Sequence, residues 1–216
     1  MNTQALQAEH RKFLNTYYGI SRHFYDWTRK YYLLGRDREL RALLREEWTT
    51  LVEIGPGTGR NLQKLHHRRP HASYFGIEAS DSMLDHARAK CSVARFVHGF
   101  AENADISSLV GRPPDRILFS YCLSMVVDPA RAIENAIGAL APGGEVVVVD
   151  FGDFEGLPRW LKGTLGRWLS TFHVHPLAPP AYESWGGQVR TELGGYVLRA
   201  RFHRPLPGAR EEQHAE

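Results

Sequence analysis

Short apolar runs rich in β-branched residues alternate with helical stretches from residue 49 to residue 150. This alternation indicates a parallel β-sheet with helices on both faces, because strands that are buried on both faces are apolar throughout. Connections between neighbouring parallel strands are right-handed, so the expected fold is a doubly wound, Rossmann-like α/β structure. The predicted strands are residues 50–54, 74–77, 93–97, 116–119 and 145–150, and the predicted helices are residues 60–68, 80–90 and 130–140.

The C-terminal part of the chain is less regular. A helix is predicted over residues 157–172, followed by a Pro-rich loop, a short helix that ends near residue 193 and a strand over residues 196–203. The partner of that last strand is not evident. Either residues 189–193 supply it, or the sheet has an open edge that pairs with a second subunit in a homodimer.

The first 48 residues are rich in basic and aromatic side chains, and we expect them to form a helical lid over one globular unit of residues 49–216. Two interpretations are open for this lid. It is an amphipathic element with its aromatic side chains inward, or it is a surface that meets anionic lipid headgroups. The net charge of +3 is too small by itself to indicate binding of nucleic acid.

Composition excludes several classes of protein. A hydrophobic fraction of 43% is ordinary for a globular domain, and no apolar run reaches the roughly 20 residues that cross a bilayer. The N-terminus lacks a signal-peptide pattern, so we expect a cytoplasmic protein. Two cysteines are too few for a disulfide scaffold or a cysteine-based zinc site. His173 and His175 lie on a Pro-rich loop without a cysteine nearby, so no metal site is expected.

The strongest local signal is the segment LVEIGPGTG, residues 51–59, in which a strand runs into Gly55, Gly57 and Gly59 and a helix follows. Glycine lets the backbone turn tightly and approach a ligand, although a tight strand-to-helix turn without a ligand uses it too. The G-x-G-x-G spacing differs from the G-x-G-x-x-G of dinucleotide sites. Glu53 lies two residues before the first glycine, and a carboxylate repels a pyrophosphate but attracts an ammonium group. The loop therefore favours a nucleoside ligand with a cationic amino-acid arm.

Glu78 ends the second predicted strand. A carboxylate at this place accepts hydrogen bonds from both hydroxyl groups of a ribose. The alternative is that Glu78 only opens the next helix, where an acidic residue is favourable for the helix dipole. Together with the glycine loop, Glu78 favours ribose binding.

These segments, with the helix start Asp81-Ser82-Met83-Leu84 and the turn Pro142-Gly143-Gly144, resemble class I S-adenosylmethionine-dependent methyltransferases over residues 49–150. The resemblance implies S-adenosylmethionine as the cofactor and S-adenosylhomocysteine as the product. It also implies that the glycine loop borders the methionine portion, that Glu53 lies near its ammonium group and that Glu78 holds the ribose. The other residues that the resemblance places at the cofactor are Pro56, Ala79, Met83, Phe100, Ala101, Glu102 and Ser120.

The adenine contacts depart from the family pattern. Family members often carry an acidic residue and an alanine after the third strand, whereas this chain has Gly99-Phe100-Ala101-Glu102. Two alternatives are open: Phe100 stacks on the adenine, or Glu102 contacts its amino group. Met83 is expected to pack against the same ring.

A narrower resemblance lies in YDWTRKYYLLGRD, residues 25–37, and in FSYCLSM, residues 119–125. Both segments are similar to the betaine-lipid N-methyltransferases, which trimethylate diacylglyceryl homoserine. This resemblance implies a lipid substrate at a membrane surface, peripheral attachment to the inner face of that membrane, and a partner 3-amino-3-carboxypropyl transferase that makes the precursor. It also implies that the N-terminal helices close over the cofactor, with Tyr25, Tyr32 and Arg36 at its methionine end.

Two residues are candidates for contact with the acceptor amine. Tyr121 follows the fourth strand at the carboxyl edge of the sheet, where we expect it to orient the amine. Asp150 ends the fifth strand at the same edge; it attracts the cationic substrate, or it is a sheet-end carboxylate without a catalytic role. The helix over residues 157–172 carries a stripe of Trp and Leu with basic neighbours, which indicates contact with lipid headgroups or an ordinary helix that covers the sheet.

Rival functions agree with the sequence to different degrees. A nucleic-acid amino-methyltransferase typically has Asn/Asp-Pro-Pro-aromatic after the fourth strand, where this chain has Ser120-Tyr121-Cys122-Leu123. A nicotinamide oxidoreductase disagrees with the glycine spacing and with Glu53. A methyltransferase for another lipid amine or a soluble small molecule agrees with all of these motifs, and so does a non-catalytic cofactor-binding module.

Overall fold

Seven strands form one sheet in the computed structural model, which describes residues 32–206. The strand order across the sheet places the third strand at one edge and the sixth at the other. The first five strands are parallel, the seventh is antiparallel to the fifth, and the sixth is antiparallel to the seventh. The predicted Rossmann-like α/β fold with a mostly parallel sheet is therefore confirmed. In chain order the strands are β1 (Thr50–Ile54), β2 (Ser73–Glu78), β3 (Arg95–His98), β4 (Arg116–Ser120), β5 (Glu145–Phe151), β6 (Gln188–Glu192) and β7 (Val197–His203), arranged β3-β2-β1-β4-β5-β7-β6.

Side-chain caps fix several of the helix starts. The hydroxyl of Ser80 accepts a hydrogen bond from the backbone N of Met83 at 3.4 Å, and the carboxylate of Asp128 accepts one from the backbone N of Arg131 at 3.0 Å. A single 3₁₀ turn, Leu123–Met125, follows β4. The α-helices in the described range are α1 (Arg36–Leu43), α2 (Arg60–Arg68), α3 (Asp81–Lys90), α4 (Ile106–Val110), α5 (Pro129–Ala139), α6 (Arg159–Ser170) and α7 (Pro179–Ser184).

Helices cover both faces of the sheet, as apolar strands of this kind require. On one face, Val146 and Val148 of β5 lie in the same buried cluster as Ile133 of α5. On the other face, Leu51 of β1 lies in a cluster with Leu43 of α1 and with residues of α2 and α3. No helix in residues 32–206 is long and apolar enough to span a membrane.

Helix α1 belongs to this packed unit. Leu43 and Trp48 are buried in the second cluster, and Glu39 accepts hydrogen bonds from Arg199 and Arg201 of β7, the latter at 2.6 Å. Residues 36–48, the C-terminal part of the predicted lid, therefore pack against the sheet. Residues 1–31 of the predicted lid, including Tyr25, lie outside the described range.

The open question at the sheet edge has a clear answer. Residues Gln188–Glu192 form β6 and pair with β7, so the antiparallel partner of the last strand is present. The prediction of a helix that runs to residue 193 was wrong, because α7 already ends at Ser184. Gly186 adopts a left-handed φ of 83°, and a Cβ at Gly187 would lie 2.7 Å from a ring atom of Phe202. These two glycines allow the chain to turn from α7 into β6.

Candidate functional site

The candidate site lies where the carboxyl ends of β1, β2 and β4 meet. The strand order reverses between β1 and β4, and such a switch point opens a crevice in which α/β proteins bind ligands. The glycine loop, the end of β2 and the segment after β4 all border this point. The fold therefore brings the sequence-predicted cofactor segments together.

The glycine loop has the backbone conformation that its sequence predicts. Gly55, Gly57 and Gly59 have φ angles of 65°, 59° and 76°, in the left-handed region that favours glycine. A Cβ at Gly55 would lie 2.8 Å from the Cβ of Cys122, and one at Gly59 would lie 2.7 Å from the Cβ of Cys91. Close packing inside the protein thus requires two of these glycines, in addition to any approach to a ligand.

Glu53 is the most unusual group of the site. Only 1% of its surface is exposed. Its Oε1 accepts a hydrogen bond from Nδ2 of Asn61 at 2.7 Å, whereas its Oε2 has no hydrogen-bond partner in the described part of the chain. Burial raises the pKa of Glu53 to about 8, and the Asn61 hydrogen bond and the charge of Arg36 oppose that rise. A buried carboxyl oxygen without a partner favours either a proton on this group or a cation beside it.

Arg36 lies at the start of α1, beside Glu53. Its side chain is mostly buried, and its charge opposes the rise that burial causes in the pKa values of both Glu53 and Tyr121. The position of α1 depends on Gly35, which has a φ of 77° and whose Cβ would lie 2.8 Å from a methyl group of Val197. The structure therefore brings the predicted Arg36 next to Glu53.

Glu78 is almost fully buried and braces the glycine loop. Its Oε2 accepts a hydrogen bond from the backbone N of Gly57 at 3.1 Å, and its Oε1 accepts one from the backbone N of Ser80 at 3.0 Å. Pro56 of the loop lies close to β2, since a Cβ at Gly76 of that strand would be 2.9 Å from its Cγ. Glu78 thus connects the loop to the turn before α3, where Ser80 rather than Glu78 caps the helix.

The predicted adenine residues surround the end of β3. Phe100 is partly exposed and packs edge-on against His98 with ring centroids 5.7 Å apart, and the ring Nε2 of His98 lies 3.1 Å from the carbonyl oxygen of Ala79. Met83, Ala101 and Glu102 are buried. Oε1 of Glu102 accepts a hydrogen bond from the backbone N of Asp128 at 3.4 Å, so this carboxylate is already in use.

The two predicted acceptor-contacting groups are engaged by the protein itself. The hydroxyl of Tyr121 donates a hydrogen bond to the carbonyl of Leu34, and burial raises the pKa of Tyr121 far above its usual value. Asp150 is fully buried, and its carboxylate accepts hydrogen bonds from the backbone N and hydroxyl of Ser124 at 3.0 and 2.8 Å. This arrangement favours the alternative in which Asp150 is a sheet-end carboxylate that fixes the turn after β4. Ser120 carries a buried hydroxyl without a partner in the described residues.

An aromatic cluster at the ends of β4 and β5 was not predicted as a unit. Tyr121 contacts Phe151 with ring centroids 4.7 Å apart, and Phe151 contacts Tyr196 at 5.7 Å. The hydroxyl of Tyr196 donates to the carbonyl of Tyr32 at 3.0 Å, and Tyr32 packs on Trp168 of α6 at 5.0 Å. The members of the aromatic cluster are Tyr32, Tyr121, Phe151, Phe154, Trp168, Phe172 and Tyr196. Of these residues, only Tyr32 and Tyr121 were predicted site residues. No single periodicity in the sequence links the other five.

Helix α6 uses most of its predicted Trp and Leu stripe inside the protein. Leu169 is buried, and Leu165 and Trp168 pack against the same cluster, which supports the interpretation of an ordinary covering helix for this part of the stripe. Trp160 differs, because 73% of its surface is exposed. In residues 32–206, no group of three or more His, Cys, Asp or Glu side chains is arranged to hold a metal ion.

Comparison with known proteins finds similarity to methyltransferases in the central part of the chain. A family model described as "Methyltransferase domain" matches residues 52–146. A trans-aconitate 2-methyltransferase of Rhodopseudomonas palustris (strain BisA53) is 31% identical over 131 residues, which cover 57% of this chain and 49% of that protein. One of Variovorax paradoxus (strain S110) is 33% identical over 104 residues, which cover 47% of this chain and 38% of that protein. The chain thus spans less than half the length of these curated relatives.

Solved structures share the fold over nearly the whole chain. The plantazolicin methyltransferase BpumL, in complex with SAH and a pentazolic desmethylPZN analog, superposes with a TM-score of 0.67 at 14% identity and covers 94% of this chain and 98% of that one. A chain from the complex of the Haloferax volcanii Trm112 methyltransferase activator with a putative methyltransferase gives 0.66 at 15% identity, covering 89% and 97%. Residues 52–146 thus match a methyltransferase domain, and these solved structures share the Rossmann-like fold that the sequence predicts.

Proposed function

We propose that the protein is an S-adenosylmethionine-dependent N-methyltransferase. The observation that carries the proposal is the buried carboxylate of Glu53 beside the glycine loop, with one oxygen that has no hydrogen-bond partner in residues 32–206. In this proposal, the ammonium group of the cofactor's methionine portion pairs with that carboxylate oxygen. Arg36 is a mostly buried cation next to Glu53, so it fits the carboxylate group of the same portion.

The nucleoside end of the cofactor fits the other residues. The two oxygens of Glu78 accept hydrogen bonds from the backbone of Gly57 and Ser80, and a carboxylate can accept about four hydrogen bonds in all, those of a ribose hydroxyl included. Glu78 can therefore bind the ribose while it braces the loop. Phe100 is more exposed than Met83 or Glu102, so it is the better candidate for contact with the adenine ring.

S-adenosylmethionine supplies, when bound, an electrophilic methyl group on a sulfonium. The chain then has to hold the acceptor nitrogen in line with the methyl–sulfur bond, which is mainly a matter of alignment. The aromatic cluster suits this task, because aromatic faces attract cationic, methylated amines. The hydroxyl of Tyr121 is bound to Leu34, so Tyr121 contacts the amine through its ring in this proposal.

The acceptor that we propose is the amine of diacylglyceryl homoserine, methylated in successive steps to the trimethylated betaine lipid. The resemblance of residues 25–37 and 119–125 to the betaine-lipid enzymes supports this choice. The curated relatives are named for trans-aconitate, which is a carboxylic acid. An anionic acceptor fits the aromatic cluster less well than a cationic amine does, although another lipid amine or a soluble amine would fit it as well.

We further propose that the protein works at the inner face of a membrane beside a 3-amino-3-carboxypropyl transferase that makes the precursor. The exposed Trp160 at the start of α6, with the exposed Arg159 and Arg167, suits a layer of anionic headgroups. The pure protein should sediment with anionic liposomes at low salt. If it stays in the supernatant with them, the proposal of membrane attachment is wrong.

The test of the acceptor is transfer of a labelled methyl group from S-adenosylmethionine. The protein receives, in separate reactions, liposomes with diacylglyceryl homoserine, trans-aconitate, and RNA or DNA. Label in mono-, di- and trimethylated lipid, and none in nucleic acid, is the expected result. Label in trans-aconitate alone would contradict the lipid substrate but not the methyltransferase activity. Saturable cofactor binding without turnover on any acceptor would favour a non-catalytic cofactor-binding module.

A further inference from the structure

Asn61 occupies the second position of α2, directly after the glycine loop, and only 6% of its surface is exposed. Its Nδ2 donates a hydrogen bond to Oε1 of Glu53 at 2.7 Å. Its other amide atom, Oδ1, is buried and has no hydrogen-bond partner in residues 32–206. The amide nitrogen of Asn61 therefore has a hydrogen-bond partner among the described residues, and the amide oxygen has none.

The unused oxygens of Asn61 and Glu53 belong to one local arrangement. Oδ1 and Nδ2 of Asn61 share a carbon, as do Oε1 and Oε2 of Glu53, so both unused oxygens flank the same 2.7 Å hydrogen bond. Buried acceptors normally have donors, and once Glu53 is ionised this place has two acceptors without a donor from residues 32–206. An ammonium group carries three donors and no acceptor, whereas a hydroxyl group carries one donor. The chemistry of the vacant acceptors therefore matches an ammonium group.

We propose that Asn61 is a further cofactor-binding residue, which forms with Glu53 a two-acceptor site for the ammonium group of the methionine portion. This proposal rests on the proposed function. The amide is suited to this role because it adds an acceptor without a second negative charge. It also holds Glu53 in place through Nδ2. An aspartate at this position would set a second carboxylate beside Glu53 and would lose that donor.

The test compares two ligands that differ only in the ammonium group. S-adenosylhomocysteine carries it, and the deaminated analogue, with the same thioether and carboxylate, does not. The wild-type protein should bind S-adenosylhomocysteine more tightly by about 100-fold or more, and Asn61→Leu should lower that affinity by about 10-fold to 100-fold, as for a hydrogen bond to a charged group. The affinity of Asn61→Leu for the deaminated analogue should stay within about twofold of wild type.

The matched control is Gln63→Leu, which removes an amide two residues further along α2. Gln63 is exposed and donates to the carbonyl of Lys90, so its loss should leave both affinities unchanged. An equal loss of affinity for both ligands in Asn61→Leu would mean a merely structural role and would overturn the proposal.

The wild-type protein alone tests the same claim if Asn61→Leu does not fold, because equal affinity for the two ligands would overturn it. A wild-type protein that binds neither ligand would instead overturn the proposed function. That result appears before any variant is compared.

Discussion

Glu53 holds a proton at neutral pH when no cation is bound, and it must lose that proton when an ammonium group binds beside it. Burial raises the pKa of Glu53 to about 8, the nearby charge of Glu78 acts in the same direction, and Asn61, Arg36 and Arg60 oppose it. With this pKa, about nine tenths of the carboxyl groups are protonated at pH 7. Binding of the cofactor at pH 7 should therefore release about 0.9 proton per site, since the ion pair requires the ionised carboxylate.

The assay is calorimetric titration with S-adenosylhomocysteine in buffers of different ionisation enthalpy. The ligand's ammonium group stays mainly protonated between pH 6 and pH 7, so affinity should rise about ninefold over this range as the ionised fraction of Glu53 grows. Glu53→Gln has no proton to release, and its weaker binding should not change with pH. Proton release near zero in the wild-type protein, with equal affinity at both pH values, would show that Glu53 does not lose a proton when the ligand binds.

Substitutions at Glu53, Gly55, Tyr121 and Trp160 each have a measurable consequence. Without ligand, the melting temperature should fall as the pH rises from 6 to 8, and it should fall less in Glu53→Gln. The reason is that Glu53 keeps its proton up to about pH 8 in the folded protein and loses it near pH 4.5 in the unfolded chain. If the melting temperatures of the two proteins, measured by circular dichroism, change in parallel with pH, this explanation is wrong. Gly55→Ala should lower the free energy of unfolding by at least about 1–2 kcal/mol in chemical denaturation, through its left-handed φ and the contact with Cys122. Gly138→Ala is its control, because nothing lies within 4 Å of that Cβ in α5, and equal losses would contradict the argument. Tyr121→Phe should lower the free energy of unfolding by about 1 kcal/mol, because the hydrogen bond to the carbonyl of Leu34 is lost. Its rate of methyl transfer should stay the same. A large loss of kcat would instead assign a catalytic role to the hydroxyl. Trp160→Ala should reduce sedimentation with anionic liposomes, and Val127→Ala, another exposed apolar site, should not; equal behaviour would remove Trp160 from the membrane contact.

Much of the fold could be predicted because its signals are local. The strand Thr50–Ile54 and the helix Arg60–Arg68 have the predicted bounds, since an apolar run, three glycines and a 3.6-residue periodicity adjoin there. The helix Ile106–Val110 was missed, because five residues are too short for a periodic pattern. The strand Gln188–Glu192 was left as an alternative because it is an edge strand with several exposed residues, and only its pairing with β7 identifies it.

The site was less predictable than the fold. Glu53 and Glu78 stand in a recognisable motif, and the structure places both at the glycine loop. The partners of Tyr121 and Asp150 are Leu34 and Ser124, 87 and 26 residues away in sequence, so sequence reasoning had no access to them. Asn61 was missed because a lone amide at a helix start has no pattern of its own. Its only available signal was its place directly after the glycine loop.

The proposed role of Glu53 in cofactor binding is tested most directly by the steady-state kinetics of methyl transfer to diacylglyceryl homoserine. The wild-type protein and Glu53→Gln are compared. Glu53 is proposed to bind the part of the cofactor that does not react, so its loss should weaken the ground state and the transition state alike. The wild-type protein should label the lipid, and Glu53→Gln should have a KM for S-adenosylmethionine raised about tenfold or more with little change in kcat. An unchanged KM in Glu53→Gln, or a wild-type protein that neither binds the cofactor nor transfers its methyl group, would contradict the proposed role of Glu53.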